Sequence, residues 1–401
     1  MLIAKARPSL FLFASILVVD PHLCSSLSQS PRSRRDFVVD SVSSIATAST
    51  LSVTTASYAG LSNASDDIIS TPKQLTLPPI GVGAWAWGDS VFWGYDQKND
   101  DELKEVFDYA LKNNLSFFDT AELYGFGRSE QLLGKFRAQC QTKEEEDRVI
   151  IASKFAALPW RTKSDDVVKA CKASMKRLGG KPIDLYQIHF PGSWSNEEYW
   201  DGIADAYEQG LVNAVGVSNY GVDALRACHA ELSRRGIKLA TNQIQMSLLY
   251  RWPLENGLLD VCKELDVKVL SYSPLALGFL TGKYNKSNYP SGPRSKIAEQ
   301  LFKDDSFEQL LMTMNEISTK HEASVSQVAL NWAISKGTIP IPGARNLKQV
   351  KQNLSCLDWS LSEDEMKSLD QASSKVTGFI TPDKNPFPRK DVNTGLKMYD
   401  S

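Results

Sequence analysis

The chain has 401 residues, 42% of them hydrophobic and 23% charged, and a formal net charge of −2. That length admits two average domains or one large α/β barrel, and the near-neutral balance argues against a nucleic-acid or membrane-surface protein. Its six cysteines (Cys24, Cys140, Cys171, Cys228, Cys262 and Cys356) include no CxxC pair, which argues against a disulfide framework and a zinc site.

Residues 1–59 read as a cleavable targeting leader. Lys5 and Arg7 precede LFLFASILVV (residues 10–19), an apolar core too short to span a bilayer comfortably, with a signal-peptide cut near Cys24–Ser26. The Ser/Thr-rich stretch that follows carries Arg32, Arg34 and Arg35 ahead of its first acid, a transit-peptide composition in which Arg34–Arg35 also has the form of a twin-arginine element. Five basic and three acidic side chains make these 59 residues a basic object apart from the fold. A signal-like start on a protein with unpaired thiols fits a plastid destination, stroma or lumen, with the secretory pathway as the alternative. Residues 60–74 read as a linker, and the mature form needs no membrane.

From residue 75 apolar runs alternate with amphipathic stretches. Strands are expected at 80–85, 116–119, 149–154, 184–189, 214–219, 242–246, 268–273 and 338–343. Helices are expected at 101–113, 128–137, 164–178, 196–209, 221–235, 254–265, 324–336 and 346–354, with Asp101, Ser164 and Asn196 as N-caps and Gly179 and Gly236 as stops. Eight strand–helix pairs predict a single-domain (β/α)8 TIM barrel over 75–373, followed by a C-terminal tail, 374–401. An open doubly wound sheet is the alternative, but its one Gly-rich candidate, Gly81 to Ala86, runs into AWGDSVFWG rather than a helix. A long insertion, 274–323, with a helix near 305–320, falls at the strand-end face, where long loops carry function.

Ionisable residues follow three consecutive apolar runs: Asp119, Lys154 and His189, with Tyr124 in the loop after the first. In a (β/α)8 barrel the site lies at these strand ends. An ammonium near a phenol favours the phenolate and eases proton transfer, and Asp119 can hold Lys154 in place. His189 can orient a substrate oxygen. The four suit protonation of a carbonyl oxygen as hydride reaches its carbon.

These residues sit in segments that resemble the aldo/keto reductase superfamily: FDTAELYG, IASKF, DLYQIHFPG, GLVNAVGVSNY, NQIQMSLL, SYSPLALGFLTGKY and IPIPGARNLKQVKQN, in order and spacing over residues 73–373. Within it the chain is most similar to the branch of potassium-channel β-subunits, pyridoxal reductase and plastid-targeted plant members, with Phe190 where plant members often have Trp. The resemblance implies a catalytic tetrad of Asp119, Tyr124, Lys154 and His189, and NADPH bound across the barrel mouth without a Gly-rich helix turn. It implies Ser218, Asn219 and Gln243 at the carboxamide and Tyr272 on the nicotinamide ring. Ser273, Leu275, Gly278, Leu280, Lys283 and Arg294 fall along the pyrophosphate, and Gly343, Arg345, Gln349 and Asn353 at the adenine end. Arg345 also has a physical argument, because a guanidinium at a helix start after the last strand suits a 2′-phosphate. Gln349 stands where some relatives carry Arg. Trp85, Trp87, Trp93, Trp160 and Trp194 fall near strand ends, and Trp85, Trp160 and Trp194 are the expected walls of a substrate pocket. The implied activity is NADPH-dependent reduction of small aldehydes or ketones. A redox-sensing subunit with little turnover and a pyridoxal reductase are the alternatives, and no protein partner is specified.

Overall fold

The computed structural model describes residues 75–192, 196–292 and 294–376. The leader, the linker up to residue 74, Trp194 and the tail beyond residue 376 lie outside the described residues. Eight strands form one parallel sheet in sequence order: β1 (Val82–Gly83), β2 (Phe117–Asp119), β3 (Ile150–Phe155), β4 (Leu185–Ile188), β5 (Val215–Ser218), β6 (Leu239–Gln245), β7 (Lys268–Tyr272) and β8 (Ile339–Pro340). The sheet closes on itself, since Gly81 N–H donates to Pro340 O at 2.9 Å and Gly83 N–H to Pro342 O at 3.0 Å. Closure leaves no exposed strand edge, which is the barrel expected from the alternating pattern.

Side chains alternate between the two faces of a strand. In β2 this sends Phe118 outward into the layer beneath the helices, while Phe117 and Asp119 share the inner face. The same parity puts Ala152 with Lys154, Leu185 with Gln187, and Thr241 with Gln243 on the inside. Phe117, Ala152, Leu185, Ala214, Leu270 and Ile341 form an apolar cluster inside the barrel. In β2, β3 and β4 the inward positions two residues further along are Asp119, Lys154 and Gln187, which carries polar side chains toward the C-terminal rim.

The surrounding helices follow the expected stretches with local corrections. Asp101 is the second residue of the helix Asp100–Lys112 and Asn99 its cap; Ser164 opens the helix Ser164–Arg177 after the cap Lys163. Asn196 also lies inside its helix, Asn196–Glu208, and its side-chain oxygen accepts from Gly192 N–H at 2.8 Å instead of capping. Gly179 (φ +95°) and Gly236 (φ +70°) do stop their helices in left-handed conformations. The stretch expected as one helix at 254–265 is two, Trp252–Glu255 and Leu258–Glu264, divided at the left-handed Gly257. The insertion after β7 has its own core, in which Leu277, Phe279 and Leu280 pack with Phe302, Phe307 and Trp332.

Candidate active site

The Tyr124 turn is built from its sequence. After β2, residues 124–127 coil tightly with Gly125, Phe126 and Gly127 all at positive φ (+55°, +54° and +88°). Gly125 is required twice over: besides its φ, a Cβ there would stand 2.4 Å from Gly88 O. Hydrogen bonds pin the turn at both ends. Thr120 Oγ1 donates to Ser129 Oγ at 2.7 Å and Ser129 Oγ to Ala84 O at 2.9 Å, fastening the base of the loop to β1. Glu122 accepts from Ala156 N–H at 2.7 Å and takes the Arg161 guanidinium on both carboxylate oxygens. Glu122, Ser129 and Glu130 went unnoticed in the sequence because each reads as an ordinary polar residue beside a helix start.

Asp119, Lys154, Tyr124 and His189 meet at the barrel mouth. Lys154 Nζ donates to Asp119 Oδ1 at 2.6 Å and to Thr120 O at 2.7 Å, and the Lys154 side chain is wholly buried. Gln243 Nε2 donates to the other Asp119 oxygen at 2.6 Å. The ammonium lies 5.0 Å from the Tyr124 ring centre, and the Tyr124 and His189 rings meet edge to face at 5.7 Å. Behind Lys154, the neighbouring Ser153 donates to the fully buried Glu130, which Arg177 holds on its other oxygen at 2.5 Å.

The electrostatics correct one expectation. Lys154 was expected to ease proton loss from Tyr124. Instead burial, then the Asp119 carboxylate, then Tyr272 push the phenol well above its usual pKa. The phenol therefore carries its proton at neutral pH, as a donor must. Burial also lowers the Lys154 ammonium, with Asp119 working against that shift. Burial, then the Lys154 charge, hold His189 well below the usual imidazole range, so its ring is neutral. His189 Nδ1 is buried without a hydrogen-bond partner, which favours the tautomer protonated at Nε2.

Asp119, Tyr124 and His189 border a cleft of about 620 Å³, and Lys154 lies buried behind Asp119. Ser218, Asn219, Gln243, Tyr272, Ser273, Leu275, Gly278, Lys283, Arg294, Gly343, Arg345, Gln349 and Asn353 all line it. Leu280 does not: it is fully buried in the insertion core, because the tight turn over Ala276–Thr281 directs it away from the cleft. Around the rim, Tyr272 OH donates to Asn219 Oδ1 at 2.9 Å, Asn219 Nδ2 to His189 O at 2.9 Å and Ser218 Oγ to Gln243 O at 2.8 Å. Asn353, which opens an Asn-Leu-Ser glycosylation sequon, is 5% exposed and belongs to the helix Leu347–Leu354, so that sequon is shielded. Lys283, Arg294, Arg345 and Lys348 bring four cations to the cleft, and among the described residues none has a carboxylate within ion-pair distance. Lys348, absent from the sequence expectations, follows Arg345 by three residues in the first turn of a helix, and that spacing could have revealed it.

Of the expected substrate walls, Trp85 lines the cleft, 6.2 Å from Tyr124. Trp160 does not: it is 64% exposed on the loop after β3, where Arg161 turns inward to Glu122 in its place. Phe126, Phe190 and Trp93 supply further aromatic lining. Trp87 is core, its indole N–H donating to Ala344 O at 2.8 Å.

The chain belongs to the aldo/keto reductase family, whose model matches residues 79–374. It is 43% identical over 314 residues, 75% of this chain and 84% of the relative, to a chloroplastic pyridoxal reductase of Arabidopsis thaliana. Among solved structures it is similar to the glycerol dehydrogenase of Gluconobacter oxydans, with a TM-score of 0.66, 25% identity and coverage of 78% of this chain and 96% of that one. It is also similar to a Klebsiella pneumoniae aldo-keto reductase in complex with NADPH, with a TM-score of 0.60, 25% identity and coverage of 82% and 97%.

Proposed function

We propose that this aldo/keto reductase reduces the carbonyl group of small aldehydes or ketones to alcohols, using NADPH held along the cleft and Tyr124 as proton donor. The observation that carries the reading is one cleft lined by a protonated phenol and a neutral histidine, with the Lys154–Asp119 ion pair buried behind them, and by four cations that have no carboxylate partner among the described residues. The residues fit the dinucleotide. A pyrophosphate and a 2′-phosphate together form a polyanion suited to Lys283, Arg294, Arg345 and Lys348. The Ser218, Asn219 and Gln243 side chains offer polar groups to a carboxamide, beside the ring of Tyr272.

When bound, the reduced nicotinamide supplies the hydride for the carbonyl carbon. Tyr124 gives its proton to the carbonyl oxygen, and the phenolate left behind meets the positive charge of Lys154, which Asp119 and Thr120 O hold in place. His189, neutral and protonated at Nε2, donates to the same oxygen and orients it. Trp85, Phe126 and Phe190 exclude water from the reacting group. Tyr124→Phe tests the assignment: reduction should fall by about 10²- to 10⁴-fold while NADPH binding stays nearly unchanged. Turnover like the parent enzyme's would refute it.

Pyridoxal is the substrate we favour within that class. The relative at 43% identity is a pyridoxal reductase, and the aromatic lining suits a flat ring aldehyde. Steady-state rates should favour pyridoxal over aliphatic aldehydes, and equal kcat/KM values would reject it. The chloroplastic relative and the composition of residues 1–59 support import into a plastid with loss of the leader, leaving 75–373 as the catalytic unit. Mass spectrometry of native protein should find the N-terminus beyond the leader.

A further inference from the structure

Trp93 lies in the loop that leaves β1, apart from both clusters in sequence. Two guanidiniums lie over its ring: that of Arg294 at 5.6 Å from the ring centre and that of Arg345 at 5.8 Å. Arg345 Nη1 also donates to the Trp93 carbonyl at 3.2 Å, and Arg294 Nη1 to Leu277 O at 3.2 Å. The indole is braced edge-on by Phe92 at 5.0 Å and Trp85 at 5.4 Å. The arginines come from two separate segments, one from the insertion after β7 and the other from just before the helix after β8.

Two like charges held over one ring, with no carboxylate within ion-pair distance of either among the described residues, need a reason to stay together. A long cationic side chain gains rotamer freedom by turning to solvent. The negative π-face of an indole is the strongest aromatic counterweight, and it leaves the positive charge unneutralised. A site in which the cations are already collected avoids the ordering penalty when an anion arrives. Tyr284 lies under Arg294 at 5.7 Å and Lys283 at 5.4 Å, but among the described residues only the Trp93 ring meets both arginines.

We propose that Trp93 is a positioning residue for phosphate recognition: it gathers Arg294 and Arg345 so that the dinucleotide meets both guanidiniums already in place. The proposal deepens the NADPH reading and rests on it. The loop after β1, otherwise part of the substrate side through Trp85, thereby contributes to holding the cofactor.

A double-mutant cycle read by nicotinamide fluorescence titration tests it without turnover. Trp93→Leu should weaken NADPH by about tenfold, the worth of two partly exposed cation–π contacts. Trp93→Phe, which keeps an aromatic face and guards against loss of fold, should weaken it by less than about threefold. In an Arg345→Ala background the Trp93→Leu loss should shrink to about threefold, because one of its contacts has gone. An equal loss in both backgrounds would reduce Trp93 to a packing residue and overturn the proposal alone. If Arg345→Ala left NADPH affinity intact, the 2′-phosphate reading would fall and the proposal with it.

Discussion

The acid–base cluster and the cation cluster line one cleft but treat charge in opposite ways. Asp119 and Lys154 are 2% and 0% exposed, both Asp119 oxygens accept hydrogen bonds, and the Lys154 ammonium donates two. Lys283, Arg294, Arg345 and Lys348 have no carboxylate partner within ion-pair distance among the described residues. The difference follows from what each must do. Catalytic groups have to stand in fixed geometry before substrate arrives, because reorganisation during reaction raises the barrier. Phosphate-binding groups have to leave their charge free for the ligand, so a carboxylate partner would compete with it. Aromatic faces stand in for carboxylates at three of the four: Trp93 and Tyr284 lie against Lys283, Arg294 and Arg345 without neutralising them.

The largest break in this contrast should come from Lys154→Met. It leaves the buried Asp119 carboxylate without its ion partner, so stability by urea unfolding should fall by about 3–5 kcal/mol. Reduction should fall at least as far as in Tyr124→Phe. A fully stable and active variant would show that the pair is not the organising element of the site. The equivalent loss of one cation from the other cluster should leave folding nearly unchanged.

Gly125→Ala comes next. Its Cβ would meet the Gly88 carbonyl, so the turn must shift and carry Tyr124 with it. A misplacement of about 1 Å costs on the order of 10²-fold in kcat, with NADPH affinity little affected. Unchanged kcat would mean that the proton donor tolerates a moving turn.

Arg345→Ala should affect binding alone. Loss of charge-assisted hydrogen bonds to a phosphate amounts to about 1.5–3 kcal/mol, or roughly 10- to 100-fold for NADPH. NADH, which lacks the 2′-phosphate, should lose much less, and equal losses would remove Arg345 from 2′-phosphate recognition.

The smallest effect concerns pH. The Tyr124 pKa is raised, so its proton is retained through neutral and mildly alkaline pH, and the donor form is lost only above the ordinary phenol range. The His189 pKa is lowered, so its ring stays neutral until the pH falls well below the ordinary imidazole value. The kcat profile for reduction should therefore be flat across pH 6.5. An inflection there that disappears in His189→Gln would show that the imidazole titrates in its normal range.

The barrel was legible because its cause is local. Continuous apolar runs such as SFFD and VIIASK mark strands buried on both faces, and eight such runs with intervening helices admit few other folds. Asp119, Lys154 and His189 could be read for the same reason: parity puts the residue at a strand end on the inner face. Leu280 and Trp160 were misjudged where parity ends. Each sits in an irregular loop, and whether a loop side chain turns to cleft, core or solvent depends on what packs beside it. Phe307 and the helices of the insertion draw Leu280 inward, and the Arg161–Glu122 pair leaves Trp160 outside.

The sequence by itself determined the strand order and the inner-face polar groups, and it singled out Tyr124 as the proposed proton donor, since these follow from side-chain period and residue chemistry. Tertiary structure alone decided the protonation states. Burial set the Tyr124 pKa against the expectation from Lys154, because desolvation depends on everything packed around a group rather than on its nearest charge. Tertiary structure also brought Trp93 to Arg294 and Arg345, about 200 and 250 residues away along the chain. No periodicity spans such a distance, and only closure of the barrel makes those loops neighbours.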